Sequence, residues 1–137
     1  MEWVNRYVGI PYLDGGRTRT GCDCYGLIRL VLAEQFHINL DAHDQFYTHA
    51  TRDRRIIAER IQATKSRWPW RGVAREPALG DVLLFTIKAL PIHCALALGP
   101  SEMLHIQAGT DAVVENWRKS LSWKPRLDGV YQHGHVG

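Results

Sequence analysis

The sequence predicts an α+β domain, and three observations lead to that expectation. One strongly apolar segment with helical spacing comes early, short apolar runs with strand character follow it, and turn-rich links join those runs. Helices followed by consecutive strands favour a helical layer packed on an antiparallel sheet over parallel βαβ units. With 137 residues, 45% of them hydrophobic, the chain suits one core and is too short for two. We therefore expect a single domain over residues 1–137.

The elements begin with a short helix or turn at residues 1–8, followed by a glycine-rich loop that reaches Gly15 and Gly16. The main helix is predicted over residues 23–36, with Asp23 as its N-cap. Its apolar residues recur at the spacing of one helix face, and they are Cys24, Leu27, Ile28, Val31 and Leu32.

A second, amphipathic helix is predicted at about residues 51–65, and residues 68–72, which include Pro69 and Gly72, should break it. Beyond that point apolar runs bounded by glycine and proline predict strands, at residues 81–85, 92–98, 103–107, 112–115 and 129–132. The links favour an antiparallel meander of five to six strands, packed on the helix at 23–36.

Composition and charge narrow the function classes. The net charge of +3 comes from scattered lysines and arginines, which does not favour a nucleic-acid partner. No segment is long and apolar enough to span a membrane, and the N-terminus lacks the pattern of a signal peptide. We therefore expect synthesis in the cytoplasm. The odd count of three cysteines, two of them separated by one residue, argues against a disulfide framework.

Cys24 is the first candidate for chemistry. A thiol in the first turn of a helix lies near the positive end of the helix dipole and near free amides, and both lower a thiol pKa. This favours the thiolate, which is the form that attacks a carbonyl carbon. The alternative is that Cys24 is a small buried hydrophobic residue.

His93 and His105 are the candidates for a base and an orienting group. They lie in neighbouring predicted strands, and a hairpin centred on residues 99–102 would bring them to one sheet face, side by side or nearly so. If that face meets the start of the main helix, Cys24 would be the nucleophile, His93 the base and His105 the group that orients His93. Spacing alone is weak evidence, because the chain has seven histidines.

A set of short motifs resembles the NlpC family of papain-like cell-wall peptidases. The matching blocks span about residues 9–108 in the family's order, and they are Gly9-Ile10-Pro11-Tyr12, Gly15-Gly16, Asp23-Cys24-Tyr25-Gly26-Leu27, Gly80-Asp81-Val82-Leu83, His93 and Leu104-His105. The resemblance implies a papain-like fold without cofactor or metal, in which the central helix carries the nucleophile Cys24 and the sheet carries His93 and His105. The implied substrate is a peptidoglycan stem peptide, cut between D-glutamate and a diamino acid.

The resemblance also implies roles for residues around the nucleophile. Tyr12 matches a tyrosine that helps to stabilise the oxyanion together with the Cys24 backbone N–H, although it equally suits a packing role. Asp23 matches an aspartate that binds the free amine of the substrate, or it is only the N-cap. Tyr25 stands where the family usually has a serine that lines the substrate groove, and Cys94 stands where a small residue is common; we interpret Cys94 as a packing residue.

Small single-domain members with a similar Gly-Cys-Asp-Cys run and a following aromatic residue resemble proteins of phage tails and gene transfer agents. This implies tail proteins as partners and a place in the virion or tail. A non-enzymatic tail-assembly protein that keeps the fold is the alternative function. Two further alternatives are a zinc site, drawn from Cys22, Cys24, Cys94, His93 and His105, and redox chemistry through Cys22 and Cys24, whose spacing is unfavourable for both.

Overall fold

The computed structural model describes residues 1–40 and 70–133, and the helices and strands below belong to those ranges. A 3₁₀ turn at Glu2–Arg6 precedes a small hairpin, β1 and β2, and the helix α1. Two more 3₁₀ turns, Trp117–Lys119 and Lys124–Arg126, come before the last strand. The bounds are β1 Arg17–Thr18, β2 Gly21–Cys22, α1 Cys24–Phe36, β3 Trp70–Gly72, β4 Val82–Ile87, β5 Leu90–Ala97, β6 Glu102–His105, β7 Val113–Asn116 and β8 Leu127–His133.

Helix α1 confirms the expected element almost residue for residue. The Asp23 side chain accepts a hydrogen bond from the Gly26 N–H at 2.7 Å, which satisfies one of the free donors at the start of the helix. The helix ends where His37 takes a left-handed conformation with φ of 56°. Of the predicted apolar face, Leu27, Ile28, Val31 and Leu32 are buried and Cys24 is half-buried.

The main sheet has six strands in the order β3-β8-β4-β5-β6-β7, and each pair in it is antiparallel. The α+β class and a five- to six-stranded sheet are therefore confirmed. Strands β4 to β7 form the expected meander, but β8 returns to the free side of β4.

Strand β3 corrects the prediction that residues 68–72 are only a break, because Trp70–Gly72 pairs with residues 131–133 of β8. The partner of β3 lies about sixty positions away in sequence, so local composition carries no signal of this pairing.

The sheet buries both of its faces. Alternate residues of β4, β5 and β6 pack with α1 in one cluster, including Val82, Leu84, Cys94, Leu96 and Leu104. The intervening residues form a second cluster with two tryptophans, including Leu83, Phe85, Ala95, Ala97, Met103, Trp117 and Trp123. The sheet is therefore a central layer between α1 and a tryptophan-rich layer.

The remaining outcomes concern a small hairpin, the second predicted helix and membrane spans. The hairpin of β1 and β2 was not predicted, since its strands are only two residues each. The predicted helix at residues 51–65 lies outside the described residues. Within residues 1–40 and 70–133, no helix has both the length and the apolar character that crossing a bilayer requires.

Candidate active site

Cys24 is the first residue of α1, and the β1–β2 hairpin holds the chain that leads to it. The Asp23 N–H donates to the Gly16 carbonyl at 3.3 Å and the Leu13 N–H to the Cys22 carbonyl at 2.9 Å. Gly26 must be glycine here, since an added Cβ would collide with the Gly16 carbonyl oxygen. The glycine of the Asp-Cys-Tyr-Gly run is thus explained by close packing of the hairpin on the first turn of the helix.

Asp23 is more than a cap, because Arg17 in β1 pairs with it. Arg17 Nη1 lies 2.7 Å from Asp23 Oδ1, the oxygen that also accepts the Gly26 N–H. Asp23 is 1% exposed, and burial raises the pKa of its carboxyl to about 6, with the Cys24 charge adding to the rise and Arg17 opposing it. Asp23 Oδ2 is buried without a hydrogen-bond partner among residues 1–40 and 70–133.

The two predicted strand histidines meet. His93 Nε2 and His105 Nδ1 are 3.0 Å apart, and both side chains are buried. The pairs Leu96–Leu104 and Ala97–Met103 fix the register of β5 and β6. Continuing that register sets His105 opposite Ala95, so the histidines are diagonal neighbours on one face rather than directly opposed. The expected shared face is present, with an offset of two residues.

That face is not the one that packs on α1. The His93 ring stacks on Trp123, with centroids 4.9 Å apart and planes at 26°, and the His105 ring meets Trp123 edge-on at 5.2 Å. Trp123 belongs to the tryptophan-rich layer. The histidine face therefore packs under the tryptophan-rich layer, and it meets α1 at the start of the helix, where His93 contacts Cys24 as expected.

Cys24 reaches His93 because it is the first residue of α1. Cys94 Sγ, from the helix-facing side of β5, lies 3.8 Å from Cys24 Sγ. The hydrogen bond from Cys94, together with the hydrogen bond and charge of His93, lowers the pKa of Cys24 well below its ordinary value, against the effect of burial. The same contact and burial raise the pKa of Cys94. The arrangement thus favours a thiolate at Cys24 and a thiol at Cys94.

Glu115 in β7 extends this row of side chains and was missed by the sequence reasoning. Its Oε1 lies 3.2 Å from His105 Nε2, at ion-pair distance, although the angle does not make an aligned hydrogen bond. Burial first, and then the charge of His93, lower the pKa of His105. A neutral His105 can accept a hydrogen bond at Nδ1, whereas a protonated ring cannot. No local sequence signal marked Glu115, because its place depends on the pairing of His105 with Val113 across β6 and β7.

Tyr12 and Tyr25 lie in different surroundings. A bridge between Tyr12 and Cys22 holds Tyr12 beside the segment that enters α1, and its hydroxyl donates to Asp14 Oδ1 at 3.2 Å. Burial and the nearby Cys24 charge raise the pKa of Tyr12, so the hydroxyl keeps its proton. Tyr25 is 3% exposed, with the Arg17 guanidinium 5.7 Å from the centre of its ring. The structure thus gathers Tyr12, Asp23 and Cys24 and places the Tyr25 side chain in the core beneath Arg17.

The structure also bears on two alternatives from the sequence, a zinc site and redox chemistry through Cys22 and Cys24. Within the ranges that the structure describes, no group of three or more His, Cys, Asp or Glu side chains is placed to hold a metal ion. The fully buried Cys22 thiol donates to the Thr18 carbonyl at 3.0 Å. The sulfur in contact with Cys24 is that of Cys94, and this contact was not anticipated.

Fold and site together define a class of protein: a sheet-and-helix domain with a thiol at a helix start, paired with two buried imidazoles of the sheet. The chain belongs to the NlpC/P60 family, whose model matches residues 9–132.

Among curated proteins, the chain is 29% identical over 124 residues to the probable peptidoglycan endopeptidase LytE of Bacillus subtilis, covering 90% of this chain and 30% of that protein. It is 20% identical over 128 residues to the murein DD-endopeptidase/LD-carboxypeptidase MepS of Escherichia coli, covering 93% of this chain and 58% of that protein. The chain thus spans less than two thirds of either relative.

Solved structures support the fold. The NlpC/p60 domain of the peptidoglycan hydrolase SagA superposes with a TM-score of 0.59 at 23% identity, covering 94% of this chain and 92% of that domain. An NLP/P60 family protein from Staphylococcus aureus, described as similar to a lipoprotein, gives a TM-score of 0.63 at 22% identity, covering 97% of this chain and 39% of that protein. The expected NlpC-type fold is confirmed.

Proposed function

We propose that this chain is a cysteine peptidase that hydrolyses stem peptides of peptidoglycan. The observation that carries the proposal is the row of contacts from the half-buried Cys24 through His93 to His105, whose ring nitrogens are 3.0 Å apart. The family membership and the peptidoglycan endopeptidases among its relatives supply the substrate class.

The ring contacts support an assignment of the acting atoms. His93 Nε2 faces His105 Nδ1, which leaves His93 Nδ1 for the Cys24 thiol. With Glu115 beside His105 Nε2, the neutral His105 carries its proton on Nε2 and accepts the His93 Nε2–H at Nδ1. With Nε2–H directed at His105, His93 Nδ1 is the atom that takes the Cys24 proton and holds it while Cys24 is a thiolate.

The reaction then follows the logic of a thiol peptidase. His93 takes the Cys24 proton, and the thiolate attacks the carbonyl carbon of the scissile peptide bond. The Cys24 backbone N–H stabilises the oxyanion together with the Tyr12 hydroxyl, which keeps its proton and turns from Asp14 to the oxyanion when substrate is bound. The imidazolium of His93 protonates the leaving amine, and a water molecule activated by His93 hydrolyses the thioester.

Substrate orientation is assigned to Asp23. Its Oδ1 is occupied by Arg17 and Gly26, so Oδ2 is the oxygen left to accept the ammonium group of a stem peptide. Tyr25 is buried, and its part in substrate binding runs through Arg17 above its ring and not through direct contact.

The finer proposal is cleavage between D-glutamate and the diamino acid, on the strength of the motif resemblance. The proposed setting is a phage-like tail or virion, reached after synthesis in the cytoplasm, and it is supported by the run Gly21-Cys22-Asp23-Cys24-Tyr25. Co-purification with tail proteins from lysed host cells would test the setting separately from the chemistry.

The test of the chemistry is digestion of purified muropeptides of defined stem composition, followed by chromatography and mass spectrometry of the products. Wild type and Cys22→Ala should both release fragments with a new amine on the diamino acid, whereas Cys24→Ala should release none. Cys22 is the matched control, because its thiol is buried two positions away. Binding without turnover by wild type on every stem peptide would instead favour the non-enzymatic tail-assembly role.

A further inference from the structure

The peptidase mechanism needs one thiol, yet a second lies beside it. Cys94 Sγ is 3.8 Å from Cys24 Sγ, and the two residues are seventy positions apart in the chain. Cys94 is 5% exposed, whereas Cys24 is half-buried. An oxidant from solvent therefore reaches Cys24 first, and the more buried Cys94 is already in contact with Cys24.

We propose that Cys94 is a resolving thiol, which captures oxidised Cys24 as an intramolecular Cys24–Cys94 disulfide. In the first step, the Cys24 thiolate attacks a hydroperoxide; one oxygen is transferred to sulfur, the O–O bond breaks, and after protonation the leaving group departs as water or an alcohol. Cys24 is then a sulfenic acid. In the second step, the Cys94 sulfur attacks the Cys24 sulfur, the S–O bond breaks, and hydroxide leaves with the Cys94 proton as water. The peroxide is the oxidant, and a dithiol reverses the modification.

The geometry permits this bond with a small movement. A disulfide needs its sulfurs about 2.05 Å apart, so the present separation must close by about 1.8 Å. Each cysteine has one side-chain torsion, χ1, and a change in either torsion moves one sulfur relative to the other. Since the sulfurs already form a hydrogen-bond contact, the approach displaces no intervening atom.

Cys22 is the competing partner, and its surroundings disfavour it. Its thiol is fully buried and donates to the Thr18 carbonyl at 3.0 Å, while burial raises its pKa to about 11. A single residue separates it from Cys24 in sequence. Capture by Cys22 would need its hydrogen bond to break and the start of α1 to rearrange.

Formation of the Cys24–Cys94 disulfide depends on the positions of the two sulfur atoms and not on peptide hydrolysis. It also gives Cys94 a role beyond packing. Without a resolving thiol, the sulfenic acid of Cys24 would proceed under excess peroxide to sulfinic and sulfonic acids, which dithiols do not reduce.

The experiment treats the reduced full chain with hydrogen peroxide and counts free thiols after denaturation. Wild type should keep one of its three thiols and lose the mass of two hydrogens. Tryptic mapping should join the peptide of residues 20–29, which holds Cys22 and Cys24, to the peptide of residues 89–118, which holds Cys94. Cys22→Ala should give the same link, which assigns it to Cys24.

Two variants of Cys94 complete the design. Cys94→Ala and Cys94→Ser should form no link, should trap dimedone at Cys24, and should regain at least tenfold less Cys24 thiol after dithiothreitol than wild type. Either variant suffices if the other fails to fold. A link inside the 20–29 peptide, or sulfonic acid at Cys24 in wild type with no crosslink, would overturn the proposal. Lack of hydrolytic activity in wild type would leave these thiol and mass readouts unaffected.

Discussion

Replacing Arg17 with alanine tests how the start of α1 is held. Arg17 Nη1 lies 2.7 Å from Asp23 Oδ1, and the two side chains are 15% and 1% exposed. Asp23 is also the N-cap of α1. The substitution therefore removes the cation from a buried carboxylate one residue before the proposed nucleophile.

The structure sets the size of the effect. With Arg17 present, the pKa of Asp23 is about 6 against an ordinary value of 3.8, so ionised Asp23 already costs about 3 kcal/mol relative to the unfolded chain. Removing one partner of a buried ion pair lowers the free energy of unfolding by about 3–5 kcal/mol. Because Arg17 is partly exposed, we expect a loss at the lower end, about 3 kcal/mol. For a chain of this length, that loss lowers Tm by about 10 °C.

The assay is thermal and urea unfolding followed by circular dichroism, with Arg19→Ala as the matched control. Arg19 also contacts a carboxylate, Glu34 at 2.6 Å, but these side chains are 45% and 36% exposed. Exposed ion pairs contribute about 0–1 kcal/mol, so Arg19→Ala should change the free energy of unfolding by less than 1 kcal/mol.

The pH dependence has a definite sign. The folded-state pKa of Asp23 is raised, so its contribution to stability is complete below about pH 4 and is lost as pH rises through about 6. Arg17 lowers this pKa, so its removal raises it further. The deficit of Arg17→Ala relative to wild type should therefore be small at pH 4 and should grow toward pH 8. A deficit independent of pH, or equal to that of Arg19→Ala, would refute the reasoning.

Further predictions concern the imidazoles and are measured as muropeptide hydrolysis. His93→Ala should lower kcat/KM by about 10³-fold, because His93 transfers the proton, and His105→Ala should lower it less; an equal or larger loss would show that the two roles are reversed. Glu115→Gln should lower kcat/KM by about threefold to tenfold, because Glu115 contacts His105 at 3.2 Å but is 38% exposed. An unchanged kcat/KM would show that Glu115 does not act through His105. The rate should fall with acid as the Cys24 thiolate, whose pKa is lowered by Cys94 and His93, becomes protonated, and a flat profile between pH 5 and 8 would contradict a thiolate mechanism.

Much of the fold could be predicted from the sequence, because the signals for its helix and most of its strands are local. The apolar spacing from Leu27 to Leu32 and the cap at Asp23 identify α1, and its observed bounds agree. Short apolar runs between glycine and proline identify five strands, β4 to β8. Strand β3 was not predicted, because the evidence for it is its pairing with β8, which is distant in sequence.

The candidate site, like the fold, was predicted where its signals are local and missed where they depend on distant contacts. Cys24, His93 and His105 were selected by residue type, spacing and motif resemblance, and the structure shows the ring contact of the two histidines. The tryptophan-rich layer that covers them was not predicted, because the sequence period shows which residues share a face but not which layer covers it. Trp123 belongs to the layer that covers the two rings, and it is about thirty residues from His93 in sequence.

The sequence by itself determined the helix, its cap, the strand alternation and the residue types able to attack a carbonyl, because each depends on neighbours within a few positions. Only the tertiary structure decided that Glu115 stands behind His105, that Arg17 holds Asp23, and that Cys94 touches Cys24. These contacts arise where separate strands and the helix start converge, and their distances depend on register and layer packing, which no local pattern encodes.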